Sequence, residues 1–337
     1  MAFEYPARVR AALLPTRIER MTRYERTLPH GHKVWIKRDD ETGFVLSGNK
    51  VRKLEFTFAR ALAAGVDEVV TCGGWNSNHC RATAFLARRL GLDVQLFLRT
   101  ADGQPPSAWQ GNLWLDSLVG AGIRWLSPQQ YRARDEVLAA YVQERRESGV
   151  SSFLIPEGAS DALGSMGYVL AADEIEQQSD SEGFRFDFVV HAMGSAGTAA
   201  GLSAGRDLRR ANWEVVAFPV CDDAAYFRER IRRIRYAMEA FGVPPWDEGA
   251  GLRIVDGYQG RGYGLTTPDE QRWIQDLCRL EGILLDPCYT GKAMRGLDSE
   301  LRTGNIRPGS SVLFLHTGGV FGSFAYDWPV ADRVATS

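Results

Sequence analysis

From residue 68 onward, short β-branched runs alternate with longer amphipathic stretches, and this alternation limits the fold more than any other feature of the chain. EVVTCGG, DVQLFLRT, IRWLS and SSFLIP in the first half, and FDFVVHAM, WEVVAFPV, LRIVDG and SVLFLHTGG in the second, have the length and composition of buried strands. Between them lie helix-period stretches such as SNHCRATAFLARRLGL, GNLWLDSLVGAG and YRARDEVLAAYVQERRESG. Strands that recur with a helix between them pair in parallel, and parallel sheets need cover on both faces. The expected fold is therefore α/β, with mainly parallel twisted sheets flanked by helices. At 337 residues, 45% of them hydrophobic, the chain can fill two lobes. No linker interrupts it, so the lobes are expected to interleave in sequence.

Ligands of parallel sheets bind at the carboxyl ends of strands, where loops lead into helix N-termini. Glycine marks those loops here: CGGWNSNH, HAMGSAGTAAG, DGYQGRGYGLTT and HTGGVFG. A net charge of −2 and a pI near 6.3 leave no electrostatic footprint for nucleic acid or an anionic membrane, so the expected partner is a small molecule. Five cysteines (Cys72, Cys80, Cys221, Cys278, Cys288) form no CxxC pair and read as reduced thiols. The first residues hold no continuous apolar run and no 18-residue apolar stretch occurs, from which a cytoplasmic location is expected.

The most specific constellation is Ser47-Gly48-Asn49-Lys50-Val51-Arg52-Lys53, a lysine in a glycine turn at the start of a helix. A lysine is ordinarily solvated, but neighbouring cations such as Arg52 and Lys53 favour the neutral amine that an aldehyde cofactor requires. Lys53, one turn along, could reach a phosphate. Gly194-Ser195-Ala196-Gly197-Thr198, between a strand and a small-residue helix, offers bare backbone amides to an anion; its plain alternative is a turn that merely needs positive φ. Gly73 to His79 offers amides and the side chains of Trp75, Ser77, Asn78 and His79 to a carboxylate, although Ser77 or Asn78 could simply cap the helix. Tyr263 and Tyr289 sit in glycine-rich loops, where a tyrosine can serve as acid or base over a flat cofactor, or can simply pack.

Three rival classes lack their signatures. Neither G-x-G-x-x-G nor G-x-x-x-x-G-K-[ST] is present, which removes the dinucleotide and P-loop fingerprints. The five histidines form no H-E-x-x-H, so no metal site is expected. A non-catalytic amino-acid-binding protein would not need to keep Lys50, Ser77 and Tyr289 together.

In order, SGNKVRK, GGWNSNHCR, GSAGT, GYGL, DPCYTGK and HTGG span nearly the whole chain. That series resembles the pyridoxal-5′-phosphate family containing D-cysteine desulfhydrase and 1-aminocyclopropane-1-carboxylate (ACC) deaminase. The resemblance implies fold type II, the tryptophan-synthase-β-like fold, with residues 1–52 and 158–337 as the cofactor lobe and 53–157 as the smaller substrate-side lobe. It implies Lys50 as covalent anchor, Lys53 and Gly194, Ser195, Ala196, Gly197 and Thr198 at the phosphate, and Asn78 at the ring oxygen. Ser77, Asn78 and His79 would receive the substrate carboxylate, Tyr289 and Tyr263 would face the substrate, and Thr290 would sit at the pyridine nitrogen. ACC deaminases resemble one another in having Glu where this chain has Thr290 and Leu where it has Thr317. Hydroxyls at these positions suit β-elimination, giving a 2-keto acid, ammonia and a leaving group such as sulfide. ACC deaminase, L-cysteate sulfo-lyase and a β-replacement synthase are the alternatives, and a homodimer is implied. Trp75 and Asn76 depart from the Gln that relatives commonly place before the Ser-Asn pair, and Cys80 from their Val or Thr, so the pocket need not fit D-cysteine.

Overall fold

The computed structural model describes residues 3–248 and 250–329. Among these residues ten strands form two sheets: β1 (Ile18–Arg20), β2 (Lys33–Lys37), β3 (Glu68–Gly74), β4 (Asp93–Arg99), β5 (Gly122–Leu126), β6 (Ser152–Leu154), β7 (Phe188–Met193), β8 (Glu214–Pro219), β9 (Leu252–Ile254) and β10 (Ser311–Leu315). The larger sheet has the order β1-β2-β10-β7-β8-β9 and the smaller β5-β4-β3-β6. Each pairing is parallel except that of β1 with β2.

All eight strands expected from the sequence form, and each sheet is covered on both faces. In the larger sheet, Val189, Val215 and Leu313 enter one core while their neighbours Val190, Val216 and Phe314 enter another. The smaller sheet divides in the same way, with Val69, Leu96 and Leu98 on one face and Val70 and Phe97 on the other. Successive strand residues point to opposite faces, so a strand covered twice is apolar throughout. This is why these runs stand out in the sequence. The sequence reading missed β1 and β2, whose residues IER and KVWIK carry charges at an edge and in a buried ion cluster.

Five helices set the site: α1 (Asn49–Ala63), α2 (Asn78–Arg89), α3 (Ala162–Glu182), α4 (Gly197–Arg209) and α5 (Thr290–Thr303). Helix α1 runs across the boundary expected after residue 52. Its Phe56 packs in the core of the larger sheet, and its Val51, Leu54 and Phe58 in the core of the smaller one.

One polar cluster lies inside this apolar frame. Arg52 donates to Asp39 Oδ1 at 2.7 Å and to Glu174 Oε2 at 2.9 Å, and Lys37 Nζ reaches Glu174 Oε1 at 2.6 Å. The Tyr168 hydroxyl completes the cluster on Asp39 at 2.7 Å. Burial works to raise the Glu174 carboxyl, but the charges and hydrogen bonds of Arg52 and Lys37 prevail and push it down to about 2. The cluster ties β2 and α1 to α3, so the first turn of α1 is anchored from behind.

Candidate active site

The turn before α1 has to pass close under the loop that follows β10. Gly48 has φ 106°, and a Cβ there would lie 2.8 Å from the Thr317 carbonyl oxygen, so only glycine fits. Asn49 N donates to the same carbonyl at 3.0 Å. Lys50 follows at once and lines a narrow cavity together with Asn78, Ser195, Tyr289 and Thr317. Its Nζ has one weak contact, 3.5 Å to Ser195 Oγ, and burial pulls its pKa down to about 8.

Burial alone accounts for that shift, which corrects the expectation that nearby cations would cause it. Arg52 points the other way into its carboxylate cluster, and Lys53 is itself held well below the usual range, first by burial and then by the charge on Lys50. The chain has five lysines in all. Lys33 is exposed, Lys37 is paired with Glu174, Lys53 donates to the Gly158 carbonyl at 2.6 Å and to Ser160 Oγ at 2.7 Å, and Lys292 donates to the carbonyls of Gln259 and Gly262. Lys50 alone presents an uncommitted amine to a cavity.

The loop Gly194–Thr198 joins β7 to α4. Ala196 adopts φ 50°, ψ −35°, and Gly197 N donates across it to the Ser195 carbonyl at 2.5 Å, a tight γ-turn that an L-residue adopts only under strain. The turn directs backbone amides toward the start of a 13-residue helix, the arrangement that holds anions. Gly194, Ser195, Ala196 and Thr198 all line the narrow cavity. Lys53 braces this loop from behind: a Cβ on Gly197 would lie 2.7 Å from its Nζ, and Ser160 Oγ, which takes its hydrogen bond, donates onward to Ser195 Oγ at 2.9 Å. Lys53 therefore supports the loop rather than lining the cavity.

The segment from Gly73 to His79 divides by direction. Asn78 faces the ligand space, its Oδ1 fixed by the Asn112 amide at 2.9 Å, which leaves Nδ2 as the group available to a ligand. Trp75 lines the larger cavity of about 370 Å³ that adjoins the narrow one through Asn78 and Tyr289. Ser77 caps α2, its Oγ accepting from Cys80 N at 3.3 Å. His79 is buried behind the site, with Nε2 2.8 Å from Thr71 Oγ1. Thr71 gives its own proton to the Ile155 carbonyl, so Nε2 is the donor. Burial, with the charges of Lys50 and Lys53, lowers His79 well below the usual imidazole value. It lines neither cavity, so the structure does not support the expected contact with a carboxylate.

Tyr263 and Tyr289 meet edge to face, and their hydroxyls lie 2.6 Å apart at the wall of the larger cavity. Tyr289 is held by Asp286, whose carboxylate accepts from the backbone amides of Cys288, Tyr289 and Thr290. Thr290 Oγ1 also donates to Asp286, at 2.7 Å. That hydroxyl is spent on Asp286, whose backbone amide also donates to it at 2.9 Å, and it lines neither cavity. Of the two threonines singled out in the sequence, the one on the narrow cavity is Thr317. Sequence reasoning missed Asn112 and Arg99. Arg99 ends β4, the kind of position where the strand-end rule looks for ligand contacts; nothing in the sequence marks Asn112.

The model of the family described as pyridoxal-phosphate dependent enzyme matches residues 9–318. A bifunctional D-cysteine desulfhydrase/1-aminocyclopropane-1-carboxylate deaminase of Arabidopsis thaliana is 40% identical over 306 residues, covering 88% of this chain and 75% of that one. A D-cysteine desulfhydrase of Serratia proteamaculans is 37% identical over 318 residues, covering 92% and 93%. The crystal structure of an ACC deaminase homologue superposes with a TM-score of 0.84 at 34% identity, covering 96% of this chain and 94% of that one.

Proposed function

Since this chain belongs to the pyridoxal-phosphate-dependent enzymes, we propose that it is a lyase that removes the α proton of a small amino acid and expels a β-substituent, releasing a 2-keto acid and ammonia. The observation that carries the reading is the Lys50 amine, drawn down to about 8 by burial and facing a loop of bare amides across a narrow cavity. The residues fit the cofactor: an amine able to be neutral near physiological pH, an anion cradle at the start of α4, and an aromatic ring, Tyr289, on the same cavity. When bound, pyridoxal phosphate supplies an electron sink for the pair released at Cα.

The chain's own residues have separable tasks. Lys50 Nζ would anchor the cofactor covalently and, as a free amine, would take the proton from Cα. The amides of Ser195, Ala196 and Thr198 would hold the phosphate, and Asn78 Nδ2 would donate to the ring oxygen. The substrate carboxylate is received at the start of α2 by Ser77 and Asn78. The Tyr263–Tyr289 hydroxyl pair, 2.6 Å apart, passes a proton to the departing group or to the product carbon. Thr317 gives the narrow cavity a hydroxyl where ACC deaminases have Leu, and Thr290 stands where they have Glu, a pairing that favours elimination over the opening of a cyclopropane. ACC deamination is the second reading, favoured by the name of the superposed homologue.

By the same proposal the described parts of 1–52 and 158–337 form the cofactor lobe and 53–157 the substrate-side lobe, with helix α1 spanning the boundary between them. Five free thiols support a cytoplasmic location. Exposed Phe44, which touches Phe321 edge to face, and exposed Phe324 support a homodimer; sedimentation at micromolar concentration tests it.

The experiment is release of 2-keto acid from D-cysteine, L-cysteine, β-chloro-D-alanine, L-cysteate, D-serine and ACC. Turnover of thiol, chloro or sulfonate substrates without ACC is the expected result. Turnover of ACC alone would transfer the assignment to the deaminase.

A further inference from the structure

Among the described residues Arg99 is the one cation on the wall of the larger cavity; the carboxylate on that wall, Asp286, is spent on the amides of Cys288, Tyr289 and Thr290 and on the Thr290 hydroxyl. The Arg99 carbonyl accepts from Trp75 N at 3.1 Å, which fixes the end of β4 against the loop of the site. Its guanidinium lies over the ring of Tyr131, 4.7 Å from the centroid, and 5.5 Å from that of Tyr263. Two aromatic faces hold the plane in place but satisfy none of its N–H groups, so the fork remains free for an oxyanion.

A second chamber of about 270 Å³ shares Arg99 and Tyr263 with the larger cavity and is lined also by Arg132, Arg134 and Arg230. Guanidinia there outnumber the carboxylates of Glu157 and Asp222 two to one. Glu157 is already engaged by the Tyr131 hydroxyl at 2.5 Å and by Arg134 at 3.4 Å. Among the described residues, no carboxylate forms an ion pair with Arg99, Arg132 or Arg230. Uncompensated cations beside a partly enclosed cavity raise the local concentration of anions and strengthen whatever charged contact they make.

We propose that Arg99 is a specificity-determining residue that receives a second anionic group on the substrate, so that the enzyme prefers small amino acids whose side chain ends in an oxyanion such as a sulfonate or carboxylate. The chamber behind Tyr263 supplies the positive field, and Arg99 the directed contact. The proposal rests on the lyase reading only for the fate of the substrate, because recognition of the anion is a binding property.

The holoenzyme and its Arg99→Gln and Arg99→Lys variants are compared by calorimetric binding of L- and D-cysteate against L- and D-serine, and by kcat/KM for cysteate against β-chloroalanine. The expected result is that wild type binds cysteate more tightly than serine. Arg99→Gln then lowers the cysteate-to-serine affinity ratio by about tenfold or more, and Arg99→Lys recovers part of it. The kcat/KM ratio should fall in parallel, through KM, and wild-type selectivity should weaken with salt. A ratio that Arg99→Gln leaves unchanged, even with both substrates impaired, overturns the proposal and makes Arg99 a clamp on Tyr263. So does a wild-type enzyme that binds serine as well as cysteate. If the affinity ratio behaves as expected but no compound yields keto acid, the lyase reading fails while anion recognition stands.

Discussion

Lys50 is set apart by what it lacks. Every other buried lysine spends its ammonium on carbonyls, hydroxyls or a carboxylate, whereas Lys50 has a single contact at 3.5 Å. With its pKa near 8, the amine becomes neutral as pH rises through that value. The rate of covalent cofactor attachment to apoenzyme should therefore climb with pH and level off above about 8, followed by absorbance after rapid mixing. A solvated lysine would keep climbing toward about 10. At this scale the sequence was partly legible. Lys50, Asn78, Tyr263 and Tyr289 can be read from motif and position. Arg52 and His79 mislead, because consecutive residues at a helix start diverge by about 100° and the motif does not say which of them faces the ligand. Arg99 stays hidden because its environment comes from Tyr131 and Tyr263, far apart in the chain.

At the scale of the element, the loop Gly194–Thr198 depends on a backbone conformation that its own sequence disfavours. Ala196 at φ 50° carries strain that glycine would not. Ala196→Gly should raise the unfolding free energy of the apoenzyme in urea by up to about 1 kcal/mol while weakening cofactor affinity, because the γ-turn that aims the amides is no longer enforced. An unchanged cofactor affinity would show that the loop needs only its hydrogen bonds. The glycine loops were legible as loops because they follow apolar runs. The γ-turn was not, since alanine at its centre gives no sign of positive φ. Strands β1 and β2 escaped notice for a related reason: Lys37 is fully buried, but only because Glu174 and Gln178, more than a hundred residues away, receive its ammonium.

Across the whole molecule, the Lys37–Glu174–Arg52–Asp39 cluster joins β2 and α1, which precede the smaller sheet, to α3, which follows it. Glu174, held near pH 2 against an ordinary 4.5, contributes stability that is complete above 4.5 and is lost as pH falls toward 2. Glu174→Gln should cost about 3 kcal/mol at pH 7, since it leaves Arg52 and Lys37 short of a partner. It should also flatten the loss of stability between pH 4.5 and 2, as urea unfolding at pH 7 and at pH 3 would show. The two-sheet architecture was legible because parallel strands covered on both faces declare themselves as apolar runs. The cluster that joins its halves was not, because charged residues far apart in sequence give no hint of a shared interior.

Lys50 is the centre of the proposed chemistry, and with five lysines in the chain its role is open to a direct test. Holoenzyme would be reduced with borohydride, digested and mapped by mass spectrometry. The pyridoxyl group is expected on the peptide containing Lys50 and is expected to be lost in Lys50→Ala. Label on Lys37, Lys53 or Lys292, or label that survives in Lys50→Ala, would contradict that role.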